Sequence, residues 1–517
     1  MATNLPVFTV LRGMATDPPL DQTPAGFMRR ILDALPGRGL APVQVRGGWA
    51  YATGVVAGSQ PWDWLVWAPF PAGAEKIVSY AIADKQSSYV SALDGSTTGT
   101  SIGITPLALA TAPFFHRTGA GGLVVYPGAG AASITQKWTG SGALATLAGT
   151  PPLADRGASW GEYLILAGDL NSGRPNANRM WFSEPGEPEN WTLPNQRYVD
   201  IPEDIVAIVP RGNSIFVFGA KGTHILVGDT PPGGVITPGT PGNLTLKKYS
   251  FSQGLSDPDA VTTYKDFVLW ANANGVFRSD GSQPSDLTSI GGISSYWPFC
   301  YSPAAGDKVC LGCYRQYMVV SILTSGNAFK RSLVFDLENN TWWEWSNIVA
   351  RHLLRIPSWG AASEDLLMPQ PSRRIARLST VFDPASVADG DGTEPLLKII
   401  TGGMRFGALG EKRLRRGFVT FAGDPTRPTL LDLSASVDVA IDMSSDPTAD
   451  PPGLFALTPQ LQPVSAQPNQ IIRVPLRIHR KAEIIRYLLT GKRELRVYAL
   501  EQEIMAYDDT RGGDLHA

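Results

Sequence analysis

The chain has 517 residues, of which 43% are hydrophobic and 17% charged; this excludes a disordered chain and is too long for one ordinary core. Lys and Arg number 44 against 46 for Asp and Glu, a formal charge of −2, so the overall balance carries no mark of a nucleic-acid binder. Gly (54) and Pro (42) are abundant, and many turns between short apolar runs predict an all-β fold.

The first eleven residues lack the basic start and apolar block of a secretory leader. No apolar run approaches the roughly 20 residues that span a bilayer. A chain that is cytoplasmic when made is the resulting expectation. Residues 1–42 read as an N-terminal arm. Within it Thr23 is a suitable N-cap and Pro24 suits the first helical position, while Phe27, Ile31, Leu32 and Leu35 recur near helical spacing. Pro36-Gly37 ends the run, and the pattern predicts a short docking helix. A strand-like stretch, 43–52, follows.

From there to 382 one pattern repeats. A turn of Gly, Asn or Asp leads to four or five apolar residues, then to another turn and a second apolar strand. Tyr163-Leu164-Ile165-Leu166 leads to Arg179-Met180-Trp181-Phe182, and Ile215-Phe216-Val217-Phe218 turns at Lys221-Gly222 into His224-Ile225-Leu226-Val227. Phe267-Val268-Leu269-Trp270 turns at Asn274-Gly275 into Val276-Phe277-Arg278, and Tyr317-Met318-Val319-Val320 pairs with Leu333-Val334-Phe335. Unit starts lie about 50 residues apart, a spacing used by propeller blades. Weaker copies near Ile77, Gly122 and Asp365 bring the prediction to a six- or seven-bladed β-propeller. A stack of unrelated sandwiches competes, but regular spacing argues for the ring, since a lone blade cannot bury both faces. Trp181, Trp191, Trp270 and Trp342 read as blade-packing aromatics, which outweighs sugar stacking because they recur at the blade period.

Cys300, Cys310 and Cys313 are an odd set with a single CxxC and no nearby His; they read as small apolar residues on strands, not as a metal site. The segment 383–394 is acidic and Gly-rich and reads as a solvated linker, calcium ligation being disfavoured by the spacing of Asp389, Asp391 and Glu394. Beyond it, 395–517 predicts longer strands at 396–401, 415–421, 434–443 and 471–478, with a Pro-rich insert at 446–468. Two further segments, 483–489 and 494–500, read as strands on either side of a Gly491-Lys492 turn. A C-terminal β-sandwich is the expectation. Its basic residues, Arg413, Arg415, Arg416, Arg493 and Arg496 among them, are the candidate interface. The solvated face of a strand outweighs that role for any one of them taken singly.

The run Trp181-Phe182-Ser183-Glu184-Pro185-Gly186 through Asn190-Trp191 resembles bacteriophage tail proteins of the propeller-bearing nozzle and hub, or minor tail, type. So do Ile205-Val206-Ala207-Ile208-Val209-Pro210, the entry Arg46-Gly47-Gly48-Trp49-Ala50-Tyr51, and Thr401-Gly402-Gly403-Met404-Arg405-Phe406-Gly407. The matching segments are scattered from about residue 20 to 505 and are specific only as an ensemble. The resemblance implies a structural virion protein set as a ring around the tail axis, six-fold favoured. It further implies a place in the DNA exit channel or tail tip and contacts with neighbouring tail proteins, fibres or passing DNA. The loop 231–243 is a candidate docking segment.

Two other classes compete. A receptor- or carbohydrate-binding propeller would present exposed aromatics at loop ends. A propeller enzyme of the sialidase kind would need paired carboxylates or a Tyr nucleophile. Asp200, Glu203, Asp204, Asp266 and Asp280 sit in turn-like settings, and the match of 183–191 to an Asp-box is poor. His116, His224, His352, His479 and His516 lie in no HExxH or nucleophile-elbow context, and no phosphate loop is present. On these grounds the sequence predicts no enzyme, no cofactor and no metal.

Overall fold

A computed structural model describes 61–382 except 71–74, 94–98, 107, 120, 129–133, 170–175, 192–196, 232–241, 248–250 and 358–363. Outside that region it describes 2–8, 13–15, 27–28, 30–35, 43–46, 48–54, 388–393, 395–400, 412–422, 431–437, 455–456, 472–482, 485–492 and 496–506. Residues 232–241 of the predicted loop 231–243 and most of the Pro-rich insert lie outside the described residues.

The fold is all-β, and the repeats form a β-propeller. Among the described residues six of the units are separate four-stranded sheets, five of them built from consecutive strands. In chain order the first five four-stranded units span 64–104, 114–146, 154–200, 205–246 and 261–286. A sixth unit, 308–345, is a four-stranded meander at one end of an eleven-stranded sheet. The last, 354–377, has three strands of its own and takes its fourth, Ala50–Tyr51, from near the chain's start. First strands of neighbouring units touch from the first unit to the fourth and from the fifth to the last, and the fourth and fifth units meet at Phe218 and Trp270. Leu354–Ile356 of the last unit touches Trp64–Pro69 of the first, closing the ring.

Local chemistry explains the hairpins. Lys265 adopts φ 48° in the tight turn between Val261–Tyr264 and Phe267–Asn272. Such a turn needs a residue in the left-handed region. The middle strands are apolar on both faces because each lies between two neighbouring sheets: every residue of Tyr317–Leu323 is buried.

The expected N-terminal helix is corrected. The described part of that segment is extended, as strands Phe27–Met28, Arg30–Leu32 and Ala34–Leu35. The reason is tertiary pairing. Arg30–Leu32 runs parallel to Thr341–Trp345, Leu32 opposite Glu344, and antiparallel to Leu396–Ile400, Leu32 opposite Lys398. A slot with ladder partners on both sides satisfies the backbone and overrides a weak helical preference.

That slot makes one sheet of two regions. From the sixth unit it continues through Arg30–Leu32 and Leu396–Ile400 to Ile485–Lys492 and Leu431–Val437. The remaining C-terminal strands, Lys412–Ala422, Ile472–Ala482 and Arg496–Ala506, form a second sheet with Ala2–Phe8, Val43–Val45 and Ala34–Leu35. The expected turn at Gly491-Lys492 is also corrected: both residues lie in a strand, opposite Leu397 and Leu396.

The solvated-linker reading fails at Asp389, which is buried. Arg46, also buried, donates from Nε to Asp33 Oδ1 at 2.7 Å and from Nη1 and Nη2 to the two oxygens of Asp389 at 2.8 and 3.0 Å. Its Nη2 also donates to Ser346 O, and the Trp49 N–H donates to Asp389 Oδ1. Burial works against the guanidinium's charge, yet the two carboxylates raise its pKa. Gly48 permits this approach, since a Cβ there would stand 1.8 Å from Ala388 O. Four distant pieces of chain thus meet on one buried guanidinium.

Candidate functional site

The first strands of the units surround an axis, and the connectors between units reach into it. Two cavities lie along this axis. The first, about 290 Å³, is lined by Trp64, Leu109, Asp257, Asp259, Lys308 and Cys310 among others. The second, about 360 Å³, takes Arg156, Val206, Val261, Leu311 and Leu354 from five of the units and Thr111 from a connector. Pro258 and Asp259 line both. The connector 256–260 is therefore the partition.

It is tied across the axis. Trp64, at the start of the first unit's inner strand, donates from Nε1 to Asp259 Oδ2 at 2.8 Å. The Asp259 N–H donates to Asp257 Oδ1 at 3.0 Å, and the Leu311 N–H donates to Asp259 O. Burial, then the neighbouring Asp257 charge, pushes the Asp259 carboxyl up to about 7. Burial likewise raises Asp257. Arg156 and Lys308 exert an opposing pull on both carboxyls. At the rim Arg351 forms an ion pair with Asp63. His352 Nδ1 accepts from the Leu65 N–H, and burial holds this imidazole down at about 4. Carboxyls, cations and an indole from several units therefore gather around the two cavities on either side of this connector, the arrangement from which ligand sites are built.

The residues singled out in sequence lie elsewhere. Trp270 meets Phe218 of the preceding unit edge to face, with ring centroids 5.5 Å apart. Trp342 donates from Nε1 to Leu287 O, in the short helix Leu287–Ile290 that follows the fifth unit. Trp181 and Trp191 are buried in a cluster with Leu123, Val125 and Leu147 of the second unit. Cys310 and Cys313 lie on Lys308–Tyr314. Three residues apart on a strand, they point to opposite faces. Both thiols are raised by burial, Cys313 to about 12. Arg413, Arg415 and Arg416 lie on Lys412–Ala422, between two paired strands, where Arg413 stands opposite Lys481 and Arg416 opposite Arg477. Arg496 opens the strand Arg496–Ala506, and Arg493 lies outside the described residues. Among the acidic turn residues, Glu203 Oε1 is 2.9 Å from His224 Nε2, Asp200 pairs with Arg179 and Asp266 with Arg211.

Sequence reading missed the axial group. Asp257 and Asp259 flank a Pro in a connector, and Trp64 lies near 200 residues away, so no linear signal joins them. The only cue was positional: a Pro-flanked acidic pair immediately ahead of an inner strand.

No family model matches the chain, and no curated protein matches it. Among solved structures, YCF48 bound to a D1 peptide is similar at TM-score 0.37 and 9% identity, over 66% of this chain and 99% of that one. An exo-β-1,3-galactanase from Phanerochaete chrysosporium, with β-1,3-galactotriose, is similar at TM-score 0.28 and 10% identity, over 89% of this chain and 100% of that one. A sialidase from Trypanosoma rangeli is similar at TM-score 0.27 and 9% identity, over 97% of this chain and 96% of that one. The expectation that the chain is not an enzyme is corrected by the last two, which are enzymes. The physical reason is that a propeller's axial groups come from separate blades, so a missing linear motif excludes nothing. These likenesses concern the fold and assign no activity.

Proposed function

We propose that the chain is a structural component of a bacteriophage tail, several copies standing as a ring around the tail axis with six-fold order favoured. The observation that carries the reading is the continuous eleven-stranded sheet, which leads from the propeller through the N-terminal strand Arg30–Leu32 into the C-terminal strands. A body that must hold a channel and pass on load at the moment of opening gains from such continuity, because a flexible linker would absorb the movement. The likeness of 181–191 and of the entry 46–51 to tail nozzle and hub proteins supports the same reading.

In this proposal the propeller is a rigid spacer, and the C-terminal strands, packed as a β-sandwich, carry the contacts between copies and with neighbouring tail proteins or fibres. The protein would be made in the host cytoplasm and end in the virion. The Trp64–Asp259 hydrogen bond crosses the propeller's own axis, so passing DNA would run between copies and not through the blades. The test is to express a tagged chain in infected host cells and analyse purified particles by mass spectrometry. Incorporation at a fixed small copy number supports the proposal; particles that assemble without it contradict the proposal. A second reading, a carbohydrate-binding propeller of the tail tip, is favoured by one observation, the axial cavity.

A further inference from the structure

The cavity above the 256–260 connector differs in kind from the packing elsewhere in the propeller. Its wall is half apolar, from Ile82, Leu109, Val309 and Leu323, and half polar, from Ser256, Asp257, Asp259 and Lys308. Ser256 is exposed at its rim, while Asp257 and Asp259 retain partial exposure within it. The two carboxyls belong to one connector whose backbone is fixed by the Asp259 N–H on Asp257 Oδ1 and the Leu311 N–H on Asp259 O. Trp64, held by Asp259 and stacked on Tyr80 at 5.8 Å, fixes the opposite wall. These groups are positioned before any ligand arrives, which lowers the ordering cost of binding.

The lining also selects by charge. Lys308 donates from Nζ to Asn327 Oδ1 and keeps a positive group beside the carboxyls. Arg351 is already paired with Asp63. With both signs present, a strongly charged guest of either sign would meet a like charge, whereas hydroxyl groups can donate to a carboxylate and accept from an ammonium. Apolar side chains between the polar ones suit a ligand whose C–H face lies beside its hydroxyls. We propose that this axial cavity is a binding site for a neutral polyhydroxyl ligand of monosaccharide size, gripped by Asp257, Asp259 and Lys308 against the apolar wall. The site does not depend on the ring assembly: a chain that never joins a virion retains it.

Calorimetric titration of the full chain with neutral hexoses and N-acetylhexosamines tests the proposal, with tetramethylammonium chloride and arginine amide as charged comparators. The expected result is saturable binding of at least one neutral sugar, with a dissociation constant on the order of 1 mM or tighter. Asp259→Ala is expected to weaken it at least about tenfold, or about 1.4 kcal/mol. Because Asp259 also holds Trp64, a second variant is needed, Ala110→Trp, which fills the cavity from an exposed position and leaves every polar group in place. Loss of binding in a folded Ala110→Trp protein supports the axial site, and unchanged binding there overturns it. Absence of binding by every neutral sugar, or binding of the cations alone, also overturns it. Titration with a sugar-terminated oligosaccharide separates the sources: binding of the free sugar only indicates a soluble ligand, and binding of both indicates a surface glycan, each consistent with the proposed chemistry.

Discussion

Trp64 and Asp259 are 195 residues apart and share one hydrogen bond, Nε1 to Oδ2 at 2.8 Å, which ties the first unit to the connector ahead of the fifth across the propeller axis. Trp64→Phe keeps most of the ring volume and removes the donor. The expected cost is about 1–3 kcal/mol, because an acceptor of a partly buried acid loses its partner. Urea denaturation checks it, and a midpoint unchanged from the parent would contradict the role given to this bond.

Asp259 also gives the fold a pH dependence with a definite sign. Its carboxyl is raised to about 7 in the folded chain from an ordinary value near 3.8. Between those values the folded state holds the proton more tightly than the unfolded one. This contribution is fully present below about pH 4 and is lost as pH rises through 7. Asp259→Asn removes it. The variant's melting temperature should therefore gain on the parent's between pH 5 and pH 7.5, read by thermal scans at both.

Two histidines act in the opposite direction. His116 lies against Ser159 Oγ at 2.9 Å, and burial holds both His116 and His352 down at about 4 from an ordinary 6.5. The unfolded chain binds these protons first, so their contribution is present above pH 6.5 and is lost as pH falls towards 4. NMR of the ring protons should show neither imidazole titrating above pH 5. A midpoint near 6.5 for His116 would contradict its burial.

Arg46 binds the arm, the propeller entry, the end of the sixth unit and the segment after the propeller. Arg46→Met leaves Asp33 and Asp389 buried without their cation, at an expected cost of about 3–5 kcal/mol. Arg46→Lys should rescue little, since an ammonium cannot make the bidentate pair with Asp389. Denaturation gives the cost. Limited proteolysis should cleave the variants, before the parent, near the 383–394 segment.

Trp270 is fully buried against Phe218 of the preceding unit. Trp270→Ala should cost about 3–5 kcal/mol through the cavity it leaves. A double mutant with Phe218→Ala should cost less than the sum of the single changes, as residues in contact do not add.

These residues divide by how far their signals reach along the chain. The blades were legible because a hairpin is local: Phe267–Asn272 and Gly275–Ser279 adjoin their own turn, and alternating turns and apolar runs record that directly. Phe27, Ile31 and Leu35 kept a helical period although the segment became strand, because the ladders that hold Arg30–Leu32 come from residues more than 300 positions away. Asp389 looked like part of a solvated linker for the same reason: its partner Arg46 is 343 residues distant. The axial site was the least legible part, since its side chains come from several units and connectors far apart in the chain. Ring closure, which no local pattern encodes, is what brings them together.

Mass photometry of the purified full-length chain, alone and with tail proteins from assembled particles, tests the central claim most directly. The account predicts a closed species at a small integer multiple of the monomer mass, six-fold favoured, either alone or once the tail proteins are added. A chain that stays monomeric in both conditions would contradict the ring and leave the axial site as its candidate function.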